Sequence, residues 1–138
     1  MTFTILIITT RKAGLSPAEF RNEVERIIIP FMKELLGENF PLSHTRRYLK
    51  RNESPKAEGN TERNPTTPAT VFMGTQADFD YDSVSELTFA DQAHFSAFIG
   101  QMQQPEIAAR IGEAEAKAVD VSKNKIVVVG SIETTMKG

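Results

Sequence analysis

The chain contains no cysteine, which excludes disulfides, thiolate nucleophiles and cysteine-ligated metal sites. No apolar run approaches the roughly 18 residues that a membrane-spanning helix needs. The opening segment, MTFTILIITTRK, places its short apolar run before the first basic residues, the reverse of a signal peptide. A formal net charge of -2 gives no general attraction to nucleic acid or to an anionic membrane. These absences predict a cytoplasmic protein with neither nucleic acid nor membrane as a partner.

Motifs for cofactors and metals are also missing. The sequence has no phosphate-binding glycine loop and no HExxH motif. Asp78, Asp80 and Asp82 alternate as in a calcium loop, but the glycine and the distal glutamate of an EF-hand are absent. The prediction is therefore no cofactor and no tightly bound metal.

A length of 138 residues with 40% hydrophobic content suits one domain with a single core, here residues 1–138. Residues 52–69 are polar and carry three prolines, so they cannot contribute to that core. We expect them to form a mobile surface loop rather than a second domain.

The first helix has the clearest local signals. Ser16 and Glu19 form a capping box ahead of an apolar stripe that predicts a helix over about 17–36. Pro30 should kink this helix because it removes a backbone hydrogen bond, and Gly37 should end it.

The remaining pattern predicts a ferredoxin-like fold of the α+β class. Strands are predicted at 3–10, 43–51, 71–75 (short), 82–89 and 125–130 (buried), and helices after Asp91 and from Pro105. The order β-α-β-loop-β-α-α-β indicates an antiparallel sheet with helices on one face. The other face would expose isoleucine, valine and leucine, so we expect a second copy to cover it in a homodimer.

The segment FPLSHTRRY holds the main candidate for chemistry. In a strand, His44, Arg46 and Tyr48 project from one face, together with Leu42. If this face looks toward the helices, the three polar groups line one cavity and suit acid-base work on a phenolic or keto acid. The alternative is a solvated strand with ordinary ion pairs.

Two further polar residues have two interpretations each. His94 follows Asp91 by three positions, so it is either a surface or cap-region histidine or a second catalytic candidate in the first helical turn. Glu86 lies in an apolar strand and needs a partner, which Arg46 or Arg47 could supply in a structural ion pair, or else it contacts substrate.

Five aromatic residues can either line a cavity for a flat ligand or form plain core. They are Phe20, Phe31, Phe89, Phe95 and Phe98.

The segments ILIITTRKAGLSPAEFRNEVER, PFMKELLGENFPLSHTRRYLKR, ELTFADQAHFSAF and VVVG together resemble the EthD-domain proteins of fungal polyketide clusters. That family belongs to the dimeric α+β barrel superfamily. The resemblance implies a small, cofactor-independent enzyme. Relatives are described as decarboxylases of carboxylated anthraquinone-type precursors such as atrochrysone carboxylic acid. More distant members include anthrone monooxygenases and polyketide cyclases. The resemblance implies that His44 corresponds to the family's acid-base histidine.

The chain departs from the family at one position. Members commonly carry His-x-Pro in the first helix, where this chain has Ile28-Ile29-Pro30. Either the family's chemistry does not need that histidine, or this protein has shifted its reaction, or the residue was changed deliberately. Ile28 falls at the edge of the apolar stripe, where it could face the cavity.

The combined expectation is a lyase that releases CO2 from an aromatic or β-keto polyketide carboxylic acid. In it His44 delivers the proton, while Arg46 and Tyr48 stabilise the enolate oxygen. The alternatives are a cofactor-free oxygenase or a cyclase using the same pocket, or a non-catalytic polyketide-binding protein.

Overall fold

Four antiparallel strands form one sheet in the order β2-β3-β1-β4 in the computed structural model, which describes residues 1–52 and 67–138. The strands are β1 (Phe3–Thr9), β2 (Ser43–Tyr48), β3 (Ser83–Phe89) and β4 (Lys125–Val128). The helices are α1 (Pro17–Glu23), a π-helical segment (Val24–Ile28), α2 (Ile29–Leu36), α3 (Gln92–Met102) and α4 (Pro105–Glu115). The element order is as the sequence predicts, and β1 is one of the two central strands.

Pro30 changes the helix type rather than breaking the helix. Helical structure runs without a gap from Pro17 to Leu36, but its middle is a π-helix in which the Ile29 N–H bonds to the Val24 carbonyl, five residues back. In a regular α-helix the proline ring would clash with the carbonyl four residues earlier, and the wider π turn avoids that contact. The irregularity expected at Pro30 is therefore present as a π segment immediately before it.

The predicted helix ends are confirmed. Ser16 and Glu19 form the reciprocal capping box ahead of α1, and the Asp91 side chain accepts from the His94 N–H at the start of α3. Gly37 follows α2 with φ +55°, in the left-handed range that glycine adopts without a Cβ penalty.

The sheet has two different faces. Paired residues in neighbouring strands share a face, and the register aligns Arg46 with Ser85, Ser85 with Ile7, and Ile7 with Ile126. This row belongs to the inner face, which packs against the helices. Its core cluster consists of Ile5, Leu36, Leu87, Phe89 and Phe98.

The outer face carries the alternate residues. Its apolar side chains Leu6, Ile8 and Val84 are partly exposed, and Val127 is 58% exposed. No element among residues 1–52 and 67–138 covers this face, because all the helices that pack against the sheet lie on the other side.

Two strand predictions are wrong. Residues 71–75 form bends, not a strand; only Ala69, just before them, makes an isolated bridge, to Arg51. The last strand is shorter than predicted and lies at the sheet edge, where its residues are exposed rather than buried. A β-branched run does not reveal whether a helix will cover it. Most of the predicted loop 52–69 lies outside the described residues.

A buried ionic cluster joins three strand ends. The Asp82 carboxylate accepts from the Arg11 backbone N–H at 2.7 Å and from its Nε at 3.1 Å, and lies 3.0 Å from the Nε of Arg51. Arg11 also donates to Thr67 Oγ1 at 2.6 Å, and Arg51 donates to the carbonyls of Phe79 and Tyr81. Buried charges are tolerated where they are paired and hydrogen-bonded, so this cluster fixes the end of the sheet.

Candidate active site

A cavity of about 210 Å³ lies between the inner face of the sheet and the helices. Its walls are mainly apolar and include Val24, Ile28, Met32, Phe98 and Ile99. The floor of the cavity carries three hydroxyl groups, those of Thr9, Ser83 and Ser85. The other polar residues that line the cavity, among those the structure describes, form two pairs: His44 with Arg46 on one side, and Glu115 with Asn124 on another. Few convergent polar groups in an apolar cavity are typical of a small-molecule site.

Arg46 is held by a carboxylate that the sequence analysis did not consider. Glu25, in the π segment, accepts hydrogen bonds from Nε of Arg46 at 2.5 Å and from its Nη2 at 2.9 Å, so that the two side chains form a bidentate ion pair. Tyr48 donates its hydroxyl to the same carboxylate at 2.5 Å. The guanidinium therefore has little donor capacity left for a ligand, and Tyr48 does not line the cavity.

His44 is oriented by Arg46. Nη1 of Arg46 lies 3.0 Å from Nδ1 of His44 and also donates to the His44 backbone carbonyl at 2.9 Å. Because a guanidinium has only donors, Nδ1 must accept, and the imidazole proton is on Nε2. Nε2 has no hydrogen-bond partner within residues 1–52 and 67–138, and the ring packs face to face with Phe40 at 6.3 Å between centroids. An N–H donor is thus available to a ligand.

The electrostatics of the network favour this neutral histidine. Burial, followed by the positive charge of Arg46, lowers the pKa of His44 to about 4. The hydrogen bond from Arg46 lowers the pKa of Glu25, whereas burial raises the pKa of Tyr48, so the pair is ionic and the phenol stays protonated.

Glu115 lines the cavity from the C-terminal end of α4. Asn124, just before β4, lines the same cavity. Burial raises the pKa of Glu115, and Asn124 offsets this only in part.

Ile28 occupies the cavity wall as the sequence position suggested. It is 4% exposed and packs with Phe20, Val24 and Val119 in a second apolar cluster. It is the last residue of the π segment that also contains Glu25. The irregular turn therefore contributes both an apolar wall and the carboxylate that holds Arg46.

His94 lies outside the cavity and has a structural role. Its Nδ1 accepts from the Ala90 N–H at 3.0 Å, which leaves the proton on Nε2 to donate to the Phe40 carbonyl at 3.2 Å. Both ring nitrogens are thus engaged, and they join the start of α3 to the segment that leads into β2. The cap-region interpretation of His94 matches this placement.

The predicted aromatic set is mostly core. Phe98 lines the cavity, whereas Phe89 is fully buried and Phe95 packs against it at 5.3 Å. Phe31 faces away from the cavity, beneath the guanidinium of Arg110 at 5.4 Å, and Phe20 is 1% exposed within the second cluster.

Glu86 does not join the cavity or form the expected ion pair. It aligns with Leu6 and Thr45, which places it on the outer face, opposite to His44. Arg46 is paired with Glu25 instead, and within residues 1–52 and 67–138 Glu86 lies within ion-pair distance of neither Arg46 nor Arg47.

The three alternating aspartates serve different contacts. Asp78 caps a short 3-10 helix with Thr75, Asp80 lies 3.9 Å from Lys123, and Asp82 is in the buried cluster. Over the ranges 1–52 and 67–138, no three histidine or acidic side chains converge as metal ligands. No helix in the described part of the chain has both the length and the apolarity to cross a bilayer.

Three residues of the site, Glu25, Glu115 and Asn124, were not among the candidates predicted from the sequence. Glu25 stands three positions before Ile28, on the shoulder of the apolar stripe, and this spacing was a usable signal. No local signal marks Glu115, because its environment depends on a residue of a different element.

The antiparallel four-stranded sheet with helices on one face defines a ferredoxin-like α+β protein. The family model for the EthD domain matches residues 12–122, so the chain belongs to the EthD-domain family. None of the curated proteins compared matches the chain significantly.

Solved structures share the fold at low sequence identity. At3g17210 from Arabidopsis thaliana is 10% identical, with a TM-score of 0.51 and coverage of 97% of this chain and 99% of that one. SnoaB, a cofactor-independent oxygenase from Streptomyces nogalater, is 13% identical, with a TM-score of 0.48 and coverage of 96% and 95%. A dabb family protein from Mesorhizobium loti is 16% identical, with a TM-score of 0.46 and coverage of 96% and 98%.

Proposed function

We propose that this EthD-domain protein is a cofactor-independent decarboxylase of an aromatic or β-keto polyketide carboxylic acid. The observation that carries the proposal is the placement of His44. This residue lines a mainly apolar cavity, its Nε2 has no hydrogen-bond partner within residues 1–52 and 67–138, and it is held there by Arg46, which is paired with Glu25.

The proposed step balances without a redox partner. The bond between the substrate carbon and its carboxylate breaks, and the electron pair moves toward the neighbouring keto group, which becomes an enolate. The Nε2–H of His44 donates a hydrogen bond to that oxygen as its negative charge develops. CO2 leaves, and a solvent proton adds to the carbon. His44 acts as a neutral donor, which revises the expectation that it delivers the proton itself.

The pairing of Arg46 with Glu25 suits a decarboxylase. A free cation in the cavity would bind the substrate carboxylate and stabilise the ground state, which raises the barrier to its loss. Arg46 is the one cation among the described residues that line the cavity, and two of its nitrogens bond Glu25. We therefore assign Arg46 and Glu25 to positioning His44, and Tyr48 to holding Glu25.

The test is anaerobic incubation of purified protein with a panel of polyketide carboxylic acids, followed by mass analysis of the products. We expect loss of one CO2 per substrate without oxygen. Replacing His44→Leu, which has no donor, should lower kcat by about 10²–10³, the usual cost of removing one donor to a developing oxyanion. Glu113→Gln, which lines the separate groove around Phe31, is the control and should retain wild-type turnover.

Other outcomes would identify the alternatives. Products that gain oxygen only in air would indicate an oxygenase, and products that cyclise without losing CO2 would indicate a cyclase. Binding of the acids without any turnover by the wild type would indicate a carrier protein. Each of these results would exclude the decarboxylase.

We also propose that a second copy of the chain covers the outer face of the sheet. Leu6, Ile8, Val84 and Val127 form a continuous apolar surface there by register, and such surfaces are unfavourable in water. Light scattering of the purified protein should give twice the mass of one chain, and Leu6→Asp should give a monomer. A wild-type monomer at micromolar concentration would exclude the dimer.

A further inference from the structure

The cavity has a second polar wall that the proposed chemistry does not use. Arg46 on β2 and Ile126 on β4 lie in one row across the sheet, and the strand order separates them by three inter-strand spacings. At the usual spacing this distance is about 14 Å. Glu115 and Asn124 belong to the β4 side of this row, whereas His44 belongs to the β2 side.

The floor between the two walls carries only hydroxyls and apolar groups. Ser83 and Ser85 on β3 and Thr9 on β1 provide the hydroxyls, alongside Ile7 and Leu87. The other titratable groups that line the cavity are His44 and Arg46, on the far side. A flat ligand that lies on this floor with its reacting oxygen at His44 therefore extends toward Glu115.

The chemistry of Glu115 fits an uncharged oxygen. Its side chain lines the cavity together with that of Asn124. The carboxyl oxygens accept a hydrogen bond from a phenolic hydroxyl in either protonation state, and burial raises the pKa of Glu115, which favours the form that can also donate to a keto oxygen. A carboxylate or phosphate on the ligand would be repelled by any ionised fraction of Glu115.

We propose that Glu115 recognises the end of the substrate remote from His44 through a hydrogen bond to a keto or phenolic oxygen. This inference rests on the proposed function for the class of ligand, an oxygenated fused-ring polyketide. It adds that the substrate carries an uncharged oxygen at both ends.

The test measures binding and not turnover, so that the two proposals can fail separately. The probes are a hydroxyanthraquinone with a hydroxyl at each end and the same compound without one end hydroxyl; neither has a carboxyl group to lose. Calorimetry with the wild type should show roughly 2–10-fold weaker binding of the second compound, as expected for one hydrogen bond. Glu115→Gln retains a donor and should keep this difference, whereas Glu115→Leu should abolish it.

Matched variants exclude a general effect on the fold. Glu113→Gln changes a carboxyl group on the same helix that lines the separate groove around Phe31, and it should behave as the wild type. Glu115→Met fills a similar volume and replaces Glu115→Leu if thermal unfolding shows that the leucine variant does not fold. An unchanged difference between the two compounds in Glu115→Leu or Glu115→Met would overturn the inference. The inference would also be overturned if the wild type bound neither compound, or if it bound both with equal affinity.

Discussion

Acidification should destabilise the folded protein through His44. Burial and Arg46 lower its pKa from 6.5 to about 4, which corresponds to roughly 3 kcal/mol in favour of the neutral imidazole in the folded state. Between pH 6.5 and about pH 4 the imidazole of His44 is protonated in the unfolded chain but neutral in the folded chain. The contribution is therefore fully present above pH 6.5 and is lost as the pH falls toward 4. From pH 7 to pH 5 we expect a loss of roughly 2 kcal/mol from this residue.

Two measurements check this value. The chain has only two histidines, so the ring-proton resonances of His44 and His94 can be followed by NMR, with His44→Gln providing the assignment. Urea unfolding at pH 7 and pH 5 gives the change in the free energy of unfolding for the wild type and for His44→Gln. The difference between the two proteins isolates His44, because the remaining groups contribute to both.

The refuting results are specific. A His44 resonance that titrates near 6.5 would show that the imidazole is neither desolvated nor paired with Arg46 as described. If the free energy of unfolding changed equally with pH in the wild type and in His44→Gln, the lowered pKa of His44 would likewise be contradicted. Arg46→Leu should raise the pKa of His44 only in part, because burial is the larger cause. A full return to the ordinary value would assign the effect to Arg46 alone.

Three further predictions concern stability and activity. Asp82→Asn should lower the free energy of unfolding by about 3–5 kcal/mol in a urea titration, because it removes the buried carboxylate that pairs with Arg11 and Arg51. A loss below about 1 kcal/mol would contradict the buried cluster. Phe89→Ala should cost about 3–5 kcal/mol by the same assay, because this ring is 0% exposed; an unchanged midpoint would contradict its core position. Glu25→Gln should change stability by no more than about 1 kcal/mol, because the Glu25 side chain is 37% exposed, yet lower turnover; unchanged turnover would separate Glu25 from the positioning of His44.

Local signals in the sequence account for most of the fold. The capping box at Ser16, the stop at Gly37 and the cap at Asp91 act within a few residues, so their outcomes are visible in the sequence. The alternation of Ser43–Tyr48 likewise placed His44 and Arg46 on one face, because a strand has a period of two. The burial of β4 was predicted wrongly because it depends on the position of the strand at the sheet edge.

The partners within the site were not predictable in the same way. By sequence, Glu86 had two candidate basic partners on the neighbouring strand, Arg46 and Arg47. The register places Glu86 on the face opposite to Arg46, and the partner of Arg46 comes instead from the π segment of the first helix. The pairing of Arg11 with Asp82 spans 71 residues and has no periodic pattern that could indicate it.

Isoleucine at position 28 limits what the cavity can do. A histidine there would add a second imidazole to the lining of the cavity that His44 also lines. With Ile28 the wall is apolar, and since His94 is engaged in structural hydrogen bonds, His44 is left as the imidazole that faces a ligand. Loss of CO2 needs one donor at the enolate oxygen and a solvent proton, so this arrangement suffices for it. A reaction that needs two proton-transferring side chains would have to use Glu115 as the second, across the width of the sheet.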